Sequence, residues 1–257
     1  MFTDTEIREV FHFCFLQRLL SASDPGIYVL KGGVNLRFFF NSPRYSVDMD
    51  LDVLAGSVAT LKKNGYKILE DAAFQRSLKV FGIDEIEVND PEKAKHTETT
   101  QRFACSLVTE SGLHLPTRVE FSRRAEDPGD HALIESIDSD IALRYRRLAY
   151  RCRHYSGAVA VRHKIEALAG RAVTQARDVF DLAILIDGGH FAVAASEGAL
   201  DGLAMDEAIE CLASLHWDEY AGQVVEFLDA AGREEYGTRE AWRRLQMNAY
   251  SALENSA

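Results

Sequence analysis

Asp48, Asp50 and Asp52 alternate with Met49, Leu51 and Val53, a short distance after Lys31-Gly32-Gly33. Side chains along an extended strand point alternately to opposite faces, so if residues 47–54 are extended the three carboxylates share one face and the apolar side chains the other. Carboxylates two residues apart are separated by roughly 6 to 7 Å at the backbone. They repel one another where water is excluded, and a divalent cation relieves that repulsion. Oxygen-only ligation suits Mg2+ or Mn2+. A calcium loop of the EF-hand type is excluded, because its sixth and twelfth positions require Gly and Glu where this chain has Val53 and Ala59. The glycine pair adds a second element of the same chemistry: two residues without Cβ at a strand-to-helix turn let a backbone approach phosphate at a helix N-terminus.

The elements that must position these groups are legible in the flanking pattern. Ile7, Phe11, Cys14, Phe15 and Leu19 recur at three- and four-residue spacing, which predicts a helix over the first twenty residues, capped by Thr3 or Asp4. Ile27–Leu30 is a short β-prone run, Gly32-Gly33 ends it, and a helix is expected to follow through about Phe40. Asn41–Arg44 then turns the chain into the aspartate strand. Leu61–Lys67 suggests a helix, and Asn89–Glu92 reads as a turn. Residues 101–109 and 113–122 look like two strands around Glu110-Ser111-Gly112. In the second strand Val119 and Phe121 share one side and Glu120 the other, so an adjacent strand would add Glu120 to the aspartates. Taken alone, Glu120 would form a surface ion pair with Arg118 or Arg123.

After Asp138 the pattern predicts mainly helices. Residues 159–171 carry Lys164, Leu168 and Arg171 at three- and four-residue spacing, and in residues 174–186 Arg177 and Asp181 are four apart and share a face, with Asp178 beside them. Gly188-Gly189 ends that run. Segments near 203–215, 218–230 and 238–254 read as amphipathic acidic helices. The domains expected are 1–138, a core holding the carboxylates, and 139–257, a helical domain with Lys164 and an acidic C-terminal bundle.

Composition sets further bounds. The chain has 257 residues, a 47% apolar fraction and a formal net charge of −11, enough for one large domain or two smaller ones with a sizeable core. No run reaches the 18 apolar residues of a membrane span, and the N-terminal residues lack the basic start and apolar run of a signal peptide, so a cytoplasmic location without membrane contact is expected. Cys14, Cys105, Cys152 and Cys211 are scattered without a C-x-x-C pair, which leaves them as reduced core residues. The charge is uneven. Residues 141–177 hold nine basic side chains against one acid, a balance of +8, and residues 178–257 hold sixteen acids against four arginines, a balance of −12. Arg144, Arg146, Arg147, Arg151 and Arg153, interleaved with Tyr145, Tyr150, His154 and Tyr155, offer phosphate contacts and stacking surfaces to RNA; the same tyrosines at helical spacing would equally serve a core.

Four blocks occur in order: Lys31–Arg37, Ser42–Asp52, Lys164–Arg171 and Arg177–Leu182. Together they resemble the AbiEii family of toxin-like nucleotidyltransferases, within the superfamily of the polymerase-beta palm. The resemblance implies an α+β fold, a mixed β-sheet flanked by helices, with a C-terminal helical region. It implies two metal ions, Mg2+ or Mn2+, held by Asp48, Asp50 and Glu120, with Glu120 also a proton acceptor. Gly32 and Gly33 would take the triphosphate, with Arg37 and Ser46 buttressing the loop or, for Ser46, touching phosphate. Lys164 would neutralise phosphate. Arg171 and Arg177 would contact the triphosphate or bind the acceptor, Asp178 would contact the nucleotide, and the catalytic Asp181 would orient Arg177 or Lys164 or contact the nucleotide; a helix-surface ion pair is its structural alternative. The reaction implied is transfer of a nucleoside monophosphate from an NTP, with CTP as donor, to the 3′ end of tRNA. Pyrophosphate is released and translation is blocked, as the toxin of a toxin–antitoxin or phage-defence pair with a cognate antitoxin. Transfer to a protein hydroxyl and an inactive RNA-binding or interaction module stand as alternatives. A kinase is disfavoured, since the G-x-x-x-x-G-K-[ST] loop and the H-R-D and D-F-G sets are missing.

Overall fold

The first helix, α1 (Asp4–Ala22), begins at a capping box in which Thr3 accepts from the Glu6 amide and Glu6 accepts from the Thr3 amide. Its Ile7, Phe11, Cys14, Phe15 and Leu19 are all buried, as their spacing requires. The computed structural model describes residues 2–90, 96–123, 129–198 and 200–256; the turn expected at Asn89–Glu92 runs past the described residues. A 3-10 turn leads into β1 (Tyr28–Lys31), then α2 (Gly32–Phe39) and β2 (Asp48–Val53). There follow α3 (Val58–Leu69), α4 (Ala72–Leu78), β3 (Ile83–Val88), β4 (Thr100–Thr109), β5 (His114–Ser122), β6 (Ala132–Ser136), α5 (Ser139–Arg144) and β7 (Arg151–Tyr155). The seven strands form one mixed sheet in the order β3-β4-β5-β2-β1-β7-β6. β2 runs antiparallel to β1 and parallel to β5, and β1 runs parallel to β7.

The chain divides into two compact units, residues 1–39 with 45–154, and residues 40–44 with 155–257. The division falls later than the expected 138/139 because β7 pairs with β1, through Leu30 and His154, which keeps the segment leading up to it with the sheet. The pattern after Asp138 predicts mainly helices, and α5 conforms; β7 departs from it, with two arginines and a histidine in five positions and no apolar alternation. In the first unit the apolar faces of β2, β4 and β5 supply Met49, Leu51, Phe103, Val119 and Phe121, none of which is exposed to solvent. Cys14, Cys105 and Cys152 are buried, and all four cysteines are free thiols.

A buried polar chain ties α1 to the start of β2. The Thr117 hydroxyl donates to the Val47 carbonyl at 2.7 Å, so His12 Nε2, 2.9 Å from the same oxygen, must be the donor to it. Burial, with the Arg8 charge adding to it, pushes His12 from its ordinary 6.5 down to about 3. The folded protein therefore holds His12 neutral while the unfolded chain takes up a proton below about pH 6.5, so this group's contribution to stability is present above that pH and falls as the pH drops toward 3. Unfolding free energies from urea titrations between pH 7 and 4.5 are expected to fall more steeply for the wild type than for His12→Gln, by up to about 1.4 kcal/mol per pH unit. Parallel slopes would show that His12 is not buried in its neutral form.

The second unit contains α6 (Gly157–Gly170), α7 (Ala176–Asp187), α8 (His190–Ser196), α9 (Gly202–Ala213), α10 (Trp217–Gln223), α11 (Ala230–Tyr236) and α12 (Arg239–Glu254). One helix was expected over 218–230, and the chain instead breaks between α10 and α11. The Asp229 carboxylate caps a new helix at the Gly232 amide, 2.8 Å away, and the Asp229 amide donates to the Pro43 carbonyl. Gly232 is needed there, since a Cβ would come within 2.5 Å of the Pro43 side chain. Val179, Phe180, Leu182 and Leu185 of α7 are buried, and Tyr220 stacks on Trp242 at 4.5 Å. Among the described residues no single helix is long and apolar enough to cross a membrane.

Candidate active site

β2 and β5 are parallel neighbours with Asp48 opposite Arg118, Asp50 opposite Glu120 and Asp52 opposite Ser122. Register partners on adjacent strands share a face and are about 4.8 Å apart at the backbone. Asp48, Asp50 and Glu120 therefore lie together on the face opposite Met49, Leu51, Val119 and Phe121, and all three are half-buried. β1 completes the site: Lys31 is the register partner of Asp50, and Gly32 follows it with φ +69°. A Cβ on Gly32 would meet the Asp50 carboxylate at 3.0 Å in a backbone conformation that L side chains rarely adopt. Two requirements, left-handed backbone and close approach of a carboxylate, thus converge on one glycine. Gly33 is half-buried in the first turn of α2. Ser46 donates to the Asp48 carbonyl at 2.8 Å and so holds the entry to β2.

The carboxylates differ in their partners. Asp52 is buried and takes Lys31 Nζ at 2.5 Å. Asp48 takes Arg118, and Glu120 takes Arg102 of β4, its cross-strand neighbour, at 2.7 Å. The expected partners of Glu120, Arg118 and Arg123, are thus displaced by a residue that only the β4–β5 register brings near. Asp50 has no hydrogen bond or ion pair among the described residues. Burial first, and then the charge of Glu120, pushes its pKa above the ordinary carboxylate range, with Lys31 opposing. No group of three His, Cys, Asp or Glu side chains among the described residues is gathered as in a formed metal centre. The donor set nevertheless fits a hard divalent cation: it is all oxygen, it comes from two paired strands, and it includes one desolvated carboxylate without a counter-ion.

In the second unit the structure brings Lys164, Asp178, Asp181 and Arg171 together with a residue outside the predicted set, Arg44. Lys164 Nζ donates to Asp178 at 2.8 Å and to Asp181 at 2.6 Å. Arg44 meets both oxygens of Asp181 at 3.0 and 2.8 Å, and Arg171 Nε meets Asp178 at 2.9 Å. Burial opposes the charge on Lys164, but Asp181 and Asp178 outweigh it and raise its pKa. Burial likewise opposes the charge on Asp181, and Arg44 and Lys164 outweigh it and lower its pKa. Asp181 was expected to orient Arg177 or Lys164; it holds Lys164 and Arg44, while Arg177 is half-buried with no ion pair among the described residues. The signal for Arg44 lay in the Ser42–Asp52 block, but its partner is 137 residues away and no local spacing points to it.

Other expectations are redirected. Arg37 does not join the carboxylates: it is buried, with Nε 2.6 Å from Glu9 and its guanidinium 4.3 Å from the centre of the Tyr45 ring. Glu9 is a buried acid that requires a cation, and Arg37 supplies it. Tyr145, His154 and Tyr155 are buried, and Tyr150 donates to the Phe13 carbonyl, so this group serves the core and does not form a stacking surface. The arginines among them are partly engaged. Arg144 donates to Tyr45, Arg151 to the Ile134 carbonyl and Arg153 to the Gly26 carbonyl, and Arg147 lies over the Phe81 ring. Arg144, Arg146 and Arg151 remain exposed.

The family model described as nucleotidyl transferase AbiEii toxin, type IV TA system, matches residues 14–247. Among solved structures the chain is similar to MenT4, a nucleotidyltransferase toxin from Mycobacterium tuberculosis, at 15% identity over 98% of this chain and 84% of that one, with a TM-score of 0.61. It is also similar to JHP933 from Helicobacter pylori, at 14% identity over 100% of this chain and 93% of that one, with a TM-score of 0.53. At these identities the likeness concerns the fold. A search of the curated proteins returned no match. With its family match spanning nearly the whole length, this chain belongs to the AbiEii family of nucleotidyltransferase toxins of type IV toxin–antitoxin systems.

Proposed function

We propose that this protein transfers a nucleoside monophosphate from an NTP, with CTP as donor, to an RNA acceptor, the 3′ end of tRNA, and thereby blocks translation. The observation that carries the reading is the pairing of Asp50 with Glu120 across two parallel strands, beside Asp48 and beneath Gly32. Membership of a toxin family implies an NTP substrate and a cognate antitoxin.

In this reaction the acceptor hydroxyl oxygen bonds to the α-phosphorus while the bond from that phosphorus to its bridging oxygen breaks, and pyrophosphate leaves with the electron pair. The hydroxyl proton passes to a carboxylate, for which Glu120 is the assigned acceptor. Asp48, Asp50 and Glu120 would hold Mg2+ or Mn2+, which when bound neutralises charge on the attacking and leaving oxygens. Gly32 and Gly33 leave the first turn of α2 open to phosphate, where backbone N–H groups and the helix dipole favour negative charge. Lys164, Arg171, Arg177 and Asp178 are assigned to the nucleotide, and Asp181 to positioning Lys164, on the strength of their motifs. Arg144, Arg146, Arg147, Arg151 and Arg153 are assigned to the RNA backbone, by charge alone and without aromatic stacking.

The test is intact-mass measurement of total tRNA after incubation with the protein, Mg2+ and each of the four NTPs in turn. A mass gain of one or more nucleotide units with one NTP is expected, and labelling of a protein with the tRNA unchanged would overturn the RNA assignment.

A further inference from the structure

The arginine–carboxylate pairs of this chain are of two kinds. Arg37 with Glu9 and Arg44 with Asp181 are closed to solvent, with side-chain exposures of 7% and 3%, and of 6% and 0%. Arg118 with Asp48 and Arg102 with Glu120 are open, at 35% and 28%, and at 34% and 23%. A buried pair cannot part without stranding a charge, whereas a partly exposed pair parts at little cost, since each ion can be rehydrated. Both open pairs lie on the face of the sheet that carries Asp50, and both engage carboxylates assigned to the metal. Arg118 has a further feature: its Nε is buried and has no hydrogen-bond partner among the described residues, while its terminal nitrogen holds Asp48. Guanidinium is a planar fork that matches phosphate oxygens two at a time.

We infer that Arg118 and Arg102 are exchangeable counter-ions, which hold Asp48 and Glu120 while the site lacks a divalent cation and turn to phosphate oxygens once the cation takes those carboxylates. The inference rests on the proposed role of Asp48, Asp50 and Glu120 and assigns two residues that the sequence motifs leave out. On the face that carries four carboxylates, Lys31, Arg102 and Arg118 supply three positive charges, and among the described residues only Asp50 of the four stands without an ion pair. The ligand chemistry is a phosphate oxyanion, from either the NTP tail or the backbone of the RNA acceptor. Arg102 and Arg118 bind phosphate in this scheme and take no part in bond making.

Equilibrium binding on the full chain tests this without reliance on turnover. Mn2+ binding without nucleotide is followed by paramagnetic resonance for the wild type, Arg118→Ala, Arg102→Ala, Arg118→Lys and Asp50→Asn, with thermal melting as the check on folding. Removing a competing cation is expected to tighten Mn2+ binding by up to about fivefold in each alanine variant. Binding of a non-hydrolysable triphosphate analogue in the presence of Mn2+ is expected to weaken by about tenfold in the same variants. Arg118→Lys should restore wild-type Mn2+ affinity but not analogue affinity, because an ammonium competes for Asp48 yet lacks the fork. If analogue binding holds and binding of a short single-stranded RNA falls instead, the inference stands with the acceptor as the phosphate source. If Mn2+ affinity is unmoved or weakened in both alanine variants, or if neither phosphate ligand binds more weakly, it is overturned. Asp50→Asn separates the two levels. Loss of Mn2+ binding in that variant, with the arginine variants unchanged, removes only the counter-ion role; wild-type Mn2+ binding in Asp50→Asn removes the carboxylate site itself.

Discussion

Asp50→Asn is expected to reduce nucleotide transfer by on the order of 10²–10³-fold or more, the scale of losing one preorganised electrostatic group, while leaving the fold as stable as the wild type or more so. The two halves of this result have one cause. Asp50 is desolvated, faces Glu120 across the β2–β5 register, and lacks a hydrogen bond or ion pair among the described residues. A carboxylate whose pKa is raised on folding loses stability for the protein as the pH rises through the folded value, so at neutral pH its charge is a burden on the fold. Asn removes the charge and keeps the shape. A group that burdens the fold and is needed for the reaction is what a catalytic carboxylate should be. The measurement is tRNA extension beside a urea titration, each on wild type and variant. Transfer within a few-fold of wild type would remove Asp50 from the chemistry.

Asp181→Ala is expected to act in the opposite way, costing about 3–5 kcal/mol of stability, as removal of one partner from a buried ion pair does. Asp181 is fully buried and receives both Arg44, through three hydrogen bonds to its two oxygens, and Lys164. Its loss leaves two buried cations to share Asp178, which Arg171 also engages. For a chain of this size the change corresponds to a fall in melting temperature on the order of 10 °C. Replacing Arg44, Lys164 and Asp181 together by Met, Met and Leu should recover much of the stability, since a well-packed apolar core can match a buried ionic cluster. Calorimetry on the single and triple variants checks both values, and a single variant that melts with the wild type would show that the network is not structural. The Asp181 contribution is present above about pH 3.8 and that of Lys164 below about pH 10.5, so between these limits the network is constant, and the acid sensitivity below about pH 6.5 comes from histidines that burial holds neutral, His12 among them. Loss of toxicity in Asp181→Ala is therefore informative only at a temperature where the variant is folded.

Elements were legible where the burial pattern was regular. α1, α2, β2, β4, β5, α6, α7 and α12 follow the expected segments to within a few residues. The misses have irregular patterns: β3 buries only Ile83 and Ile86 of its six residues, β6 is an edge strand that is almost wholly exposed, and α4 and α8 are seven residues each. An edge strand is held by backbone hydrogen bonds on one side and needs no apolar alternation, so periodicity cannot find it.

The composition of the site was readable from the chain alone: alternating acids on one face of a strand, a glycine turn ahead of them, and a basic helix followed by paired aspartates. These are local properties, because the period of a strand or helix is set by its own backbone. Which acid receives a cation was decided only by the tertiary structure. Glu120 meets Asp50 through a strand register, Arg102 meets Glu120 through another, and Arg44 meets Asp181 across 137 residues. Ion pairing depends on distance and on exclusion of water, and both are created when separate segments pack together.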